Sequence, residues 1–190
     1  IVGAALRESG LPRSELFLTT KLNRPCSSYP AAKAGIEQCL NELQTDYLDL
    51  LLVHWPDGKT PLEEVAQAME DLIRRGLIKY YGVSNFSVED TLRLHKMLPM
   101  QAVQLQFSLV SRQTEQTLQT LHDAGIGTMA YGALGSGILT GAPSLSLDRA
   151  ICARLFTISL RNRLSARCKG FSKSWMRLPG NTMYRFHRWH

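Results

Sequence analysis

The stretch LLLVHWPDG, residues 50–58, is an apolar run that stops at an imidazole, an indole and a proline. With Leu48 and Asp49 in front it reads LDLLLV, aliphatic at nearly every position. Such a run is expected of a strand covered on both faces, as in a parallel sheet that carries helices. A strand that only fills a core can end in any turn. This one ends in His54-Trp55-Pro56, with Asp57 and Gly58 behind, and so sets a titratable ring and a large aromatic at one end of the sheet. The fold and the chemistry therefore depend on what the neighbouring strands place at their own ends.

Four further β-type runs lie around it: LFLTT (16–20), IKYYGV (78–83), VQLQF (103–107) and IGTMAY (126–131). Helical patterns fill the intervals. Pro30 sits at a plausible first helical position after Ser28-Tyr29, with Ile36, Leu40 and Leu43 on one face. Thr60-Pro61-Leu62-Glu63 has the form of a capping box, Val65, Met69, Leu72 and Ile73 form an apolar stripe, and Arg74-Arg75-Gly76 supplies a cationic last turn and a stop. Ser87-Val88-Glu89-Asp90 opens another helix in the same way, and Gly125 follows one that ends near Ala124. Strand and helix alternate without a hairpin signal, which predicts a parallel α/β sheet with helical crossovers. An open doubly wound sheet and a (β/α) barrel both satisfy this. No glycine-rich phosphate loop follows the first strand, and this favours the barrel.

In such a barrel the carboxyl ends of all strands open on one face, where chemistry is found. Read in order, those ends carry Lys21, His54, Ser84-Asn85, Gln104 to Phe107, and Tyr131. Each has an ordinary explanation by itself: a solvated loop lysine, a structural histidine, a turn into a helix, a core tyrosine. Five successive strands agreeing on the same end is what independent accidents do not produce.

LFLTTKL, YLDLLLVHWPD, GLIKYYGVSNFS, AVQLQFSL and GIGTMAYGALGSGILTG resemble, in order, the successive strand motifs of the aldo-keto reductase family. The resemblance runs from Ile1 to about Gly141. It implies a (β/α)8 TIM barrel, here incomplete with about five of its eight parallel strands, that binds NADP(H) and reduces an aldehyde or ketone. It assigns Lys21 to lowering the pKa of a catalytic tyrosine, and His54 to hydrogen-bonding the substrate carbonyl. It gives Trp55 as a substrate wall, Ser84, Asn85 and Gln104 as ligands of the nicotinamide carboxamide, and Tyr131 as the ring on which nicotinamide stacks. Gly132, Leu134, Gly135 and Ser136 match the loop under the pyrophosphate. Of the family's four catalytic residues the sequence holds two; the aspartate and the proton-donating tyrosine are expected upstream of Ile1, inside a longer protein. The 190-residue chain alone is therefore expected to be inactive, and, with strand edges uncovered, poorly soluble.

The charge divides at Asp148. Residues 1–148 hold 12 Lys and Arg against all 16 Asp and Glu, whereas 149–190 hold 10 Lys and Arg and no acid. The sequence accordingly divides into a partial barrel, 1–148, and a basic tail, 149–190, with no likeness to the family. The tail reads as disordered or as a frame-shifted or mis-spliced translation, which sequencing of the message across codons 140–155 tests. A basic arm for nucleic acid or acidic membrane is the competing reading, and no module pattern supports it. Cys26, Cys39, Cys152 and Cys168 show no paired spacing and no zinc pattern, so reduced thiols and a cytoplasmic setting are expected. No run approaches the ~18 apolar residues of a membrane span. The expected partner is a small carbonyl compound, with no nucleic acid, membrane or metal. Two other functions fit the same residues: a barrel lyase forming a Schiff base on Lys21, which borohydride trapping would label, and a non-catalytic cofactor-binding relative of the channel-subunit kind.

Overall fold

The computed structural model describes residues 1–22, 29–140, 176–177 and 183–184. They fall into two units, Ile1–Tyr131 and Gly132–His190. In the first, α1 (Val2–Glu8) precedes a regular alternation: β1 (Thr19–Leu22), α2 (Tyr29–Leu43), β2 (Leu48–Val53), α3 (Leu62–Arg74), β3 (Ile78–Ser84), α4 (Val88–Met97), β4 (Ala102–Gln106), α5 (Glu115–Asp123) and β5 (Gly127–Tyr131). All four strand pairings are parallel, and the order in the sheet is the order in the chain. The second unit contains a 3-10 turn, Gly135–Thr140, and a short antiparallel pair, β6 (Met176–Arg177) and β7 (Met183–Tyr184). The expectations for the rest of the tail lie outside the described residues.

β2 lies between β1 and β3, and all six of its residues are buried. Leu51 and Val53 point with Tyr81, Val83, Val103 and Leu105 into a core completed by Val65, Met69 and Leu72 of α3, Leu94 of α4 and Leu121 of α5. Leu50 and Leu52 point the other way, into a smaller cluster with Ala102 and Met129. Burial on both faces explains why the run lacks alternation. At β3–β4 the backbones come unusually close: a Cβ on Gly82 would lie 2.1 Å from the Ala102 carbonyl oxygen.

Local chemistry corrects two sequence readings. The capping box at Thr60–Glu63 does not form: α3 is capped by Pro61 without a side-chain bond, because the Thr60 hydroxyl donates to Asp57 instead (2.6 Å). At α4 the pattern works as expected, with Ser87 Oγ accepting from the Asp90 amide at 3.0 Å. β1 begins at Thr19 rather than Leu16. Side chains hold the approach to it: Arg13 donates to the Leu16 carbonyl, and Asp49 accepts from the Leu18 amide at 2.9 Å.

Asp49 itself is buried on the helix side of β2, within hydrogen-bond reach of Arg13 (2.8 Å) and Lys79 (2.9 Å). Both cations also lie over the Tyr47 ring, at 3.9 and 4.5 Å from its centroid. The clamp joins β2, β3 and the 3-10 turn Arg13–Glu15 that leads into β1, at the amino ends of the strands and opposite the end where the candidate site lies.

Candidate active site

Because the five strands are parallel and adjacent, their carboxyl ends form one edge of the sheet. The register then fixes which side chains share a face, since alternate residues do. Lys21 pairs with Leu52, Leu52 with Gly82, Gly82 with Ala102 and Ala102 with Gly127. Two residues further on, Ser84 pairs with Gln104 and Gln104 with Met129; Tyr131 pairs with Gln106. Lys21, Ser84, Gln104 and Tyr131 therefore lie on the face opposite the helix-packed core, toward its carboxyl edge. His54 follows β2 directly, and its amide donates to the Leu22 carbonyl at 3.1 Å, continuing the ladder. From β1 to β5 the polar positions climb, Lys21 standing level with Leu52 and Tyr131 two residues past Met129, a stagger expected of tilted strands.

The turn after His54 answers why the strand stops where it does. Trp55 is partly exposed, its ring centroid 6.1 Å from that of His54 at 39°. Pro56 has no amide to extend the ladder. The Asp57 carboxylate then gathers the chain, accepting from the Thr60 hydroxyl and from the amides of Thr60 (2.8 Å) and Lys59 (2.9 Å). These bonds, the Thr60 hydroxyl first, hold its carboxyl below the usual carboxylate range. Gly58 closes the turn at φ +72°.

Asn85 is the junction of the edge. Its backbone is left-handed, φ +62°, which asparagine tolerates better than most residues. Its amide donates to the Gln104 carbonyl (3.2 Å), and its side-chain nitrogen donates to the His54 carbonyl (3.0 Å) and to Ser84 Oγ (2.9 Å). Its Oδ1 accepts from the Tyr131 hydroxyl at 2.9 Å. Burial pushes the Tyr131 phenol above its ordinary pKa, so it stays a donor at neutral pH. The Tyr131 carbonyl in turn accepts from the Phe107 amide (3.2 Å). One hydrogen-bonded line thus runs from Leu22 to Phe107 across all five strand ends.

Three polar groups are left with capacity for a ligand. The hydroxyl hydrogen of buried Ser84 is not used by Asn85, which occupies only its oxygen. Among the described residues the Gln104 carboxamide has no hydrogen bond and Lys21 no ion pair. The residues present thus suit a flat heteroaromatic carboxamide such as nicotinamide: an amide and a hydroxyl on adjacent strands, with a half-buried aromatic ring one strand beyond. Ser108, just past β4, keeps a buried hydroxyl without a partner among the described residues. A cleft of about 280 Å³ opens nearby, between Pro56–Gly58, the start of α3 and Arg93 of α4, but none of the face residues lines it.

In the second unit Gly132 and Gly135 both have positive φ (69° and 57°), and the Gly135 amide donates to the Gly132 carbonyl at 2.8 Å. Gly135 is buried, Leu134 is exposed, and Ser136 lies in the 3-10 turn, its side chain outside the described residues.

Sequence reading placed the strand-end residues but missed two relations. The first is that Tyr131 spends its hydroxyl on Asn85; a sequence position carries no hydrogen-bond partner. The second is the Asp49 clamp, for which a signal existed: a carboxylate inside an otherwise aliphatic strand needs buried partners.

Comparison with known proteins shows the family. Residues 1–149 match the Aldo/keto reductase family. The chain is similar to the aldo-keto reductase YhdN of Bacillus subtilis (37% identical over 150 residues, 74% of this chain and 45% of that protein). It is also 37% identical over 139 residues to glyoxal reductase of the same organism, covering 73% of this chain and 50% of the relative. Among solved structures, an aldo/keto reductase from Klebsiella pneumoniae in complex with NADP and acetate superposes with a TM-score of 0.65 at 30% identity, covering 87% of this chain and 55% of that one. The chain spans about half the length of the curated relatives it matches. With the family match running through every strand that contributes to the edge, the chain belongs to the aldo/keto reductase family.

Proposed function

We propose that the protein carrying this sequence reduces a small aldehyde or ketone with NADPH, and that the carboxyl edge of β1–β5 is its cofactor and substrate seat. One observation carries the reading: Lys21, Ser84, Gln104 and Tyr131 share one face at one edge, and His54 and Trp55 stand at the end of the strand between them. Bound nicotinamide supplies hydride to a carbonyl carbon. The residues of this chain bind and orient. Ser84, Asn85 and Gln104 are assigned to the carboxamide and so choose the ring face presented to substrate. Tyr131 supports the ring, and Gly132, Leu134, Gly135 and Ser136 are assigned to the pyrophosphate. The His54 imidazole orients the carbonyl oxygen, Trp55 walls the substrate, and the Lys21 cation lowers the pKa of the phenol that provides the proton.

Four tyrosines with described side chains are engaged elsewhere: Tyr47 lies under Arg13 and Lys79, Tyr80 stacks on Phe17, Tyr81 is bonded to the Leu98 carbonyl, and Tyr131 to Asn85. We therefore expect residues 1–190 to bind cofactor without turning it over. Titration of the chain with NADPH, followed by cofactor fluorescence, should saturate, while mixing with glyoxal should leave the NADPH absorbance unchanged. Steady oxidation of NADPH that depends on the carbonyl would overturn the inactivity. Absence of saturable binding would overturn the cofactor seat. Replacing Lys21 with Met should leave cofactor affinity within about twofold, because its ammonium serves the proton donor rather than the nicotinamide.

A further inference from the structure

The turn that follows His54 takes a bond away from the helix behind it. Thr60-Pro61-Leu62-Glu63 suits a helix start with threonine as the cap, proline first in the helix and glutamate third. α3 instead begins at Leu62, and its cap is Pro61, at φ −57° and ψ 144°, with no side-chain cap bond. The hydroxyl that would cap it donates to Asp57 Oδ2 at 2.6 Å, while Asp57 Oδ1 accepts from the amides of Lys59 (2.9 Å) and Thr60 (2.8 Å). A threonine cap stabilises a helix start, so Asp57 holds this hydroxyl against a competing use that the sequence provides.

The diverted bond fixes the chain on one side of Trp55. On the other side His54 is already tied at both of its main-chain groups: its amide donates to the Leu22 carbonyl (3.1 Å) and its carbonyl accepts from Asn85 Nδ2 (3.0 Å). Asp57 supplies the second anchor by gathering Gly58 to Thr60 against the start of α3. Trp55 and Pro56 alone lie between the two anchors, and the proline ring removes one of the torsions left there. Without the carboxylate the span between anchors would run from Trp55 to Pro61 and gain entropy accordingly. The Trp55 indole is 39% exposed, with its ring centroid 6.1 Å from that of His54. A ring this exposed takes much of its direction from the main chain beneath it.

We propose that Asp57 is a positioning residue for the substrate wall: its carboxylate draws the Thr60 hydroxyl away from α3 and so fixes the main chain at Trp55, holding the indole beside the His54 ring. That Trp55 is a wall rests on the function proposed above, but the brace consists of bonds present without cofactor or substrate. When Asp57 is removed, the order of Trp55 and the stability of the fold part company. The Thr60 hydroxyl returns to α3 as its cap, and the exposed Lys59 gives its amide to water. The fold then keeps its stability while Trp55 loses its order. A residue that only stabilised the turn would lose both together.

The test uses the 190-residue chain carrying Trp175→Phe and Trp189→Phe, which leaves Trp55 as its single tryptophan, labelled with nitrogen-15. Without cofactor, the order parameter of the Trp55 amide should be about 0.85 in this parent and below about 0.6 in Asp57→Ala, with the same urea midpoint in both. Asp57→Asn keeps an oxygen for the Lys59 and Thr60 amides and should restore most of the order. Adding Thr60→Val to Asp57→Ala should lower the urea midpoint, because the released hydroxyl had become the α3 cap. A parent Trp55 as mobile as that of Asp57→Ala, an Asp57→Ala variant that loses stability or does not fold, or a Thr60→Val without effect in that background would each overturn the proposal. Titration of the parent with NADPH reads the seat separately: absence of binding overturns the cofactor seat, while the order parameters, measured without cofactor, decide the brace.

Discussion

Replacing Gly82 with Ala should abolish the folded state: little soluble protein, and any soluble fraction cleaved rapidly by a nonspecific protease. A methyl group there would sit 2.1 Å from the Ala102 carbonyl oxygen and 2.8 Å from a Leu52 methyl carbon. The Leu52 side chain could turn away, but the Ala102 carbonyl is main chain of the adjoining strand and cannot. Relief requires β3 and β4 to separate, and their register holds only three pairs, Gly82–Ala102, Val83–Val103 and Ser84–Gln104. The cost of such overpacking against backbone is at least ~3 kcal/mol, a large share of a domain's net stability. Gly76→Ala is the control. Gly76 has φ +71° with open space around its α-carbon, so only left-handed strain of about 1 kcal/mol is expected. Wild-type protease resistance in Gly82→Ala would show that the two strands are not in contact as described.

The second large effect concerns Asp49. Replacement by Ala leaves Arg13 and Lys79 facing a buried site without their carboxylate, removes the acceptor of the Leu18 amide, and should cost roughly 3–5 kcal/mol. Burial pushes this carboxyl up, but Lys79, the Leu18 amide and Arg13 outweigh it and hold the pKa at about 2. Since the folded value lies below the ordinary one, the stabilisation is complete above about pH 4 and is lost as pH falls toward 2. For a carboxylate this well buried the linked contribution is roughly 2 kcal/mol. Acid titration of the parent, followed by far-ultraviolet circular dichroism, should therefore show a loss of structure between pH 4 and 2. Asp49→Asn should unfold earlier and lack that step; an identical acid profile in both would refute the clamp.

The strands were legible in the sequence because each is either aliphatic throughout or ends at a chemically distinct residue. LDLLLV names its own boundaries, and β2 occupies those six residues. The start of β1 was not legible, because Leu16 to Leu18 are as strand-like in composition as Thr19 to Leu22. Arg13 and Asp49 hold them out of the strand, the latter from over thirty residues away. Thr60 shows the same limit at shorter range. Its spacing to Glu63 satisfies a capping pattern, but Asp57 competes for the hydroxyl and wins. At the edge, Lys21, His54, Ser84, Gln104 and Tyr131 were legible as strand ends, whereas the face that Lys21, Ser84, Gln104 and Tyr131 share came from the register. The bonds of Asn85 to His54, Ser84 and Tyr131 were not legible, since a sequence position names no hydrogen-bond partner.

Because each of β2 to β5 pairs with the strand immediately before it in the chain, no pairing among these five strands waits for a later segment. A ribosome releasing this polypeptide delivers every new strand to an edge already exposed, with its covering helix arriving just ahead of it. Entropy lost in closing any one crossover is that of some thirty residues, never of the whole domain. Growth by addition at one margin means that β1 stays one edge of the growing sheet while the newest strand is always the other.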